Sequence, residues 1–146
     1  MDLGLLLTGS TEWMGNLALL VGRLAIGICF VVHALGKLGL VGGGNMQGFA
    51  EWLESLGVPH PQLQARLAML SELLGGSALA AGLLTRPACL LLIFTMSVAA
   101  LKGHKGAGYL ITNDPPGAEY TINLAAICFL ILLLGPGAIS LDAVLF

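Results

Sequence analysis

A histidine and a lysine stand four residues apart in FVVHALGKLGLVGGG, His33 and Lys37, where an apolar run gives way to glycines. Side chains four apart share one helix face. A glutamate, Glu72, interrupts a second apolar run, AMLSELLGG, with no basic neighbour one turn away on its own helix. A carboxylate in that setting must find a partner on another helix or be neutral. Together these three types suit proton-coupled chemistry. An imidazole gives and takes protons, an ammonium stabilises developing negative charge, and a carboxylate relays protons or holds the cation in place. His33, Lys37 and Glu72 are therefore the candidate catalytic residues.

Depth along the helices widens the set. At a rise of about 1.5 Å per residue, His33 lies about 6 Å deeper than Lys37. Glu72 lies roughly 13 Å inside the start of its run. His104 closes a third apolar run and Glu119 opens a fourth. All five approach from the same side, so they form a candidate polar pocket. Arg23 lies fourteen residues before Lys37, close to four turns, on nearly the same stripe but toward the opposite surface. It joins the candidate ligand-binding group. Plainer roles exist for each. Lys37 can snorkel to head groups, and His104 and Lys105 can be ordinary interfacial residues. Glu119 can complement a helix dipole. Arg23 can pair with Glu12 or a lipid phosphate. Glu72 is the hardest to explain away.

The elements that must carry these residues are membrane helices. Of 146 residues, 57% are hydrophobic and only 10% charged, against about 25% charged in ordinary globular chains. So few charges cannot cover a water-soluble fold. The net charge of -2, with six basic residues and no basic run, makes no footprint for nucleic acid. Asp2 and Glu12 stand where a signal peptide would carry basic residues, so the first segment is expected to stay as a membrane helix.

Four runs approach the 20 or so apolar residues a bilayer requires, at about 13–38, 63–84, 86–101 and 119–134. Open sheets cannot sit in lipid. The expected fold is one all-α domain over residues 1–146, an integral membrane four-helix bundle, multi-pass in the cell membrane. Gly22, Gly27, Gly75, Gly76 and Gly82 are candidates for close helix contact. Between the first two runs, Met46, Phe49, Ala50, Leu53 and Leu56 fall on one helical face opposite Gln47, Glu51 and Glu54. This predicts an amphipathic helix in the membrane interface, with Trp52 at its margin, stopped by Gly57 and Pro59. The connection GLLTRPA is a tight turn, and the last connection is rich in Gly and Pro. Lys37, Arg66, Lys102 and Lys105 flank the long connections, against Arg86 on the terminus side. The positive-inside bias then puts the long connections in the cytoplasm.

The three cysteines, Cys29, Cys89 and Cys128, are single and on different runs, which reads as small apolar packing and leaves no thiol-exchange pair. His33 and His104 are a weak signal for axial haem ligation, and no metal site is expected, since zinc needs three or four convergent ligands.

The segments GRLAIGICFVVHALGKL, FAEWLESLGVP, LAMLSELLGGSALAAGLLTRPA and GAEYTINLAAICFLILLLGPGAISLD, in that order, resemble the DoxX family of small membrane proteins. The likeness runs from about Gly22 to Asp142. Its specific parts are the His-x-x-x-Lys pair, the Leu-Gly-Val-Pro stop, the mid-span Glu with Gly-Gly, the Leu-Thr-Arg-Pro turn and the Gly-x-Gly-x-x-Ser-Leu-Asp tail. The resemblance implies four membrane helices and an association with quinone-linked respiration, thiosulfate oxidation or resistance to oxidative stress. It also implies that Arg23, His33, Lys37, Glu72, Arg86 and Glu119 are recurring polar residues.

The expected function is a membrane redox component whose pocket receives a quinone head group, as subunit of, or partner to, an electron-transfer enzyme. No flavin, iron–sulfur or dinucleotide motif is present, so electrons come from a soluble redox protein or a second subunit. Membrane lipids and further copies of the chain are the other expected partners. The alternatives are an assembly anchor without catalysis and a small-anion permease.

Overall fold

The computed structural model describes residue 9 and residues 11–146. Asp2 lies outside the described residues. Among them the chain is all-helical, with no strand. The helices are α1 (Glu12–Lys37), α2 (Met46–Ser55), α3 (Pro61–Ala81), α4 (Thr85–Val98), α5 (Glu119–Leu134) and α6 (Leu141–Leu145). A π-helical turn, Ala99–Gly103, continues α4.

Local sequence explains the boundaries. Asn45 starts α2 by accepting the Gly48 amide on its side chain at 2.7 Å. Pro61 occupies the first turn of α3, where its missing N–H is no loss. Gly82 ends α3 in the left-handed region at φ 67°, a conformation that suits a residue without Cβ. Gly82 is thus a helix stop and also a close-contact glycine, since a Cβ there would lie 2.6 Å from Ser140 Cβ and run into the Arg23 guanidinium of α1.

Among the described residues, two helical stretches, Glu12–Lys37 and Thr85–Gly103, are long and apolar enough to cross a membrane, and Glu119–Leu134 is apolar but shorter. Helix α3 has the length, at 21 residues, but carries Arg66, Glu72 and several glutamines and serines. Large apolar side chains such as Val21, Leu90, Phe94 and Leu133 face outward, as lipid-facing surfaces do.

Helix α1 packs chiefly on α3, and α4 on α5. The α1–α3 crossing is made by glycine. A Cβ on Gly27 would lie 2.6 Å from the Gly76 carbonyl oxygen, and one on Gly76 would lie 2.7 Å from that of Gly27. Two backbones in contact leave no room for a side chain. Gly75 seats Leu92, whereas a Cβ on Gly22 would meet nothing within 4 Å. The core joins Phe30 and Leu79 to Ala88, Cys89, Leu92 and Met96 of α4 and to Leu124, Cys128 and Ile131 of α5.

Candidate functional site: an ion pair beside an open cleft

Lys37 and Glu72 meet. The Lys37 ammonium donates to Glu72 Oε2 at 2.5 Å. Glu72 is 5% exposed, so α3 carries a carboxylate that α1 alone neutralises. Both groups lie on the same side of the Gly27–Gly76 contact, Lys37 ten residues on and Glu72 four residues back in antiparallel helices, so the long lysine side chain reaches back toward the crossing to meet the carboxylate. Helix α2 adds an aromatic face, with the Lys37 ammonium 5.1 Å from the centre of the Phe49 ring, close enough for a cation–π contact. Met46, Phe49 and Leu53 are half-buried and Ala50 buried, as the amphipathic pattern predicts, but Leu56 is exposed. Trp52 rests against Gly103 of the π-helical turn. The helix thus roofs the site.

An open cleft of about 570 Å³ lies beside the pair. Val32, Val41, Phe49 and four glycines supply most of its wall; His33, Lys37 and Asn45 supply its polar groups. The His33 ring is exposed and stands 4.9 Å from the ring of Tyr120, tilted by 40°. The Tyr120 hydroxyl lies 3.5 Å from Cys29 Sγ. Cys29 packs against the core beside this hydroxyl, and Cys89 and Cys128 are buried within it.

The other candidates have different partners. His104 Nδ1 donates to the Pro116 carbonyl at 2.7 Å. Glu119 accepts the Ile111 amide at 3.0 Å. Both fasten the long loop before α5, and the structure records no contact from either to Lys37 or Glu72. Arg23 belongs to a second polar centre. It is 1% exposed and donates to the Ile139 carbonyl, not to Glu12. Its Nε and Nη1 have no partner among the described residues. Next to it, Asp142 accepts the Leu84 amide at 2.6 Å and the Thr85 amide at 2.9 Å, and its own amide donates to the Gly82 carbonyl at 2.8 Å. Partial desolvation pushes the Asp142 carboxyl up. The Thr85 and Leu84 amides and the Arg23 charge outweigh it and hold the group below its ordinary value. The Leu-Thr-Arg-Pro turn and the Ser-Leu-Asp tail thus meet in space, with Asp142 capping α4 from across the chain. Arg86 lines a smaller cleft there with Pro136 and Phe146.

The family model described as DoxX matches residues 18–105. That span is more than half of the chain and holds Arg23, His33, Lys37, Glu72 and His104. The chain belongs to the DoxX family. The inner membrane protein YphA of Escherichia coli (strain K12) is 30% identical over 129 residues, 85% of this chain and 87% of the relative. No solved structure matches. This DoxX chain is accordingly a multi-pass membrane protein.

Sequence reasoning missed the part played by three residues, Tyr120 and Phe49 at the first polar centre and Asp142 at the second. Tyr120 follows Glu119 directly, and an aromatic hydroxyl in the first turn of a span was the available signal. Phe49 was read as part of an apolar face, without its contact to the cation. Asp142 was legible only as a motif residue, because its targets lie 57 and 58 residues away.

Proposed function

We propose that this chain is a four-span membrane redox component that receives a quinone head group in the cleft between α1 and α2, as subunit of, or partner to, an electron-transfer enzyme. Four crossings by α1, α3, α4 and α5 accord with the two ends of the molecule. Trp52 and Gly103 bring the two long connections together at one end. Asn16 accepts the Ala138 amide at 2.7 Å at the other.

The observation that carries the reading is the buried Lys37–Glu72 pair at the edge of an apolar-walled cleft. The volume of about 570 Å³ falls among small-ligand sites. The group fits the residues present, since a quinone carbonyl wants a donor and both His33 and Lys37 can donate. When bound, a quinone supplies two-electron, two-proton chemistry. His33 would donate a hydrogen bond to one carbonyl oxygen and hand over a proton. Lys37 would sit where negative charge develops. Glu72 keeps the ammonium in place, and Phe49 offers a flat face. A permease would instead need a path from Arg23 to Lys37. Between them Phe30, Ala34 and Leu79 are 0% exposed and Gly27 touches Gly76. The cleft reading needs no such path.

The test is an organic extract and absorbance spectrum of detergent-purified protein, followed by titration with added quinone. Quinone is expected to co-purify with the wild type, and His33→Leu or Lys37→Met to reduce retention at least tenfold in folded protein. A wild type that binds quinone no better than empty detergent micelles refutes the reading, as does retention unchanged in both variants. An assembly anchor without chemistry would give that last result.

A further inference from the structure

The end of the molecule opposite the Lys37–Glu72 pair holds the second cleft, of about 350 Å³. It opens where α4 begins and α5 ends. Arg86, in the first turn of α4, supplies its exposed cation. The guanidinium does not stand away from the molecule. It folds across to the end of α5, where a Cβ on Gly135 would lie 3.7 Å from Arg86 Nη2. Held there, it makes no ion pair among the described residues.

The nearby carboxylate is already engaged. Asp142 also lines the cleft, but its two oxygens accept the Leu84 and Thr85 amides at 2.6 and 2.9 Å. Leu84 turns the chain for this at φ 48°, in the left-handed region that a leucine seldom adopts. Beside Asp142 stands Arg23, 1% exposed, with Nε and Nη1 unpartnered among the described residues. Two guanidinium groups and the positive end of α4 thus surround one carboxylate. The surplus is one positive charge, and Arg86 is the group that can present it, because Arg23 is enclosed. Most of the remaining wall is apolar: Leu84, Pro87, Leu134, Pro136 and Phe146. Leu134 is 70% exposed, so the wall continues onto the lipid-facing side of α5.

We infer that this cleft seats the phosphate of a glycerophospholipid, with Arg86 as its cation and an acyl chain lying along Leu134 and α5. A phosphodiester carries one negative charge, which matches the surplus, and a guanidinium offers it parallel N–H donors. Depth agrees, since Arg86 and Leu134 stand at helix ends, where a bilayer has its head groups. A free phosphate would find one accessible guanidinium and a mostly apolar wall, too few donors to replace its hydration. A phosphate anchored in the bilayer by its own chains is already at the site, and those chains suit the apolar wall. A head group with negative charge alone fits better than choline, because both Asp142 oxygens already hold an amide. The site lies at the other end of the molecule from the cleft beside Lys37 and is independent of the quinone reading.

The experiment uses full-length protein in detergent micelles and measures lipid retention by native mass spectrometry. Three probes share their acyl chains: phosphatidylglycerol, phosphatidylcholine and diacylglycerol, which has no phosphate. Glycerol 3-phosphate, which has no chains, is the fourth. Arg86→Gln removes the charge and Arg86→Lys keeps it. Arg66→Gln removes an exposed cation of α3 at the other end and is the control. Arg86 is exposed, so Arg86→Gln should fold, as circular dichroism will check; the wild-type comparison needs no variant. Wild type and Arg66→Gln are expected to retain phosphatidylglycerol at least tenfold better than diacylglycerol and at least threefold better than phosphatidylcholine. Arg86→Gln should lower phosphatidylglycerol retention at least fivefold, and Arg86→Lys should keep at least half of it. Equal retention of phosphatidylglycerol and diacylglycerol by wild type overturns the site. So does unchanged retention in folded Arg86→Gln, or a loss in Arg66→Gln as large as in Arg86→Gln. Glycerol 3-phosphate held as tightly as phosphatidylglycerol would make this a free-phosphate site and overturn the lipid assignment.

Discussion

Lys37→Met is the most informative single change. It leaves Glu72, 5% exposed, without its partner at 2.5 Å. Breaking a buried ion pair from one side costs about 3–5 kcal/mol. A lone carboxyl has a cheaper route in taking up a proton, which from an ordinary glutamate value costs about 3.7 kcal/mol at pH 7. The expected loss is thus about 3–4 kcal/mol. Glu72→Gln should cost less, about 1–2 kcal/mol. The Lys37 side chain is 17% exposed at the cleft, so its charge still reaches water and the Phe49 ring. Replacing both, Lys37→Met with Glu72→Leu, removes the buried carboxylate together with its half-buried partner and should return to within about 1 kcal/mol of wild type or exceed it. Denaturant unfolding of wild type, Lys37→Met, the single variant Glu72→Leu and the double variant in one detergent closes the cycle, and the coupling energy should be at least about 2 kcal/mol. A Lys37→Met loss below about 1 kcal/mol, or a double variant no more stable than Lys37→Met, would refute the view that α1 neutralises α3 through this pair.

Two further outcomes test the packing and the tail. Gly27→Ala drives a methyl to 2.6 Å from the Gly76 carbonyl and should cost about 1–3 kcal/mol; Gly22→Ala meets open space and should be neutral or stabilising by up to about 1 kcal/mol, both read by thermal unfolding. Asp142 titrates below its ordinary value in the folded chain, so its stabilisation is complete above about pH 4, the value of a free aspartate, and is lost as pH falls through the lower folded value. Protection of the Leu84 and Thr85 amides from hydrogen exchange should drop in that acidic window and be low throughout in Asp142→Asn; amide protection that does not change with pH would mean that Asp142 is not the cap.

Local pattern made several features readable before any coordinates. The apolar runs match α1 and α5 to within a residue at each end, because a long continuous apolar run satisfies its backbone most simply as one helix. The amphipathic period located α2, and the cost of an unpaired carboxylate required a cation for Glu72 from another helix. Other features were misread where one residue type serves several purposes. Gly22, Gly27 and Gly82 look alike in sequence, yet one faces open space, one touches a backbone and one ends a helix. Arg23 was assigned with the pocket because it shares a stripe with Lys37, but about 21 Å of helix separates them, and the C-terminal tail supplies its carbonyl partner.

What the sequence determined by itself is the kind of molecule: helical, made for lipid, with a handful of polar groups too costly to be incidental. That follows from composition and period, which act over a few turns. Which polar groups meet was decided only by the tertiary structure. The antiparallel packing of α1 on α3 brings Lys37 to Glu72, while the loop claims His104 and Glu119 and the tail claims Arg23. Such choices depend on the register and rotation of helices against one another, and those arise from packing between residues far apart in the chain.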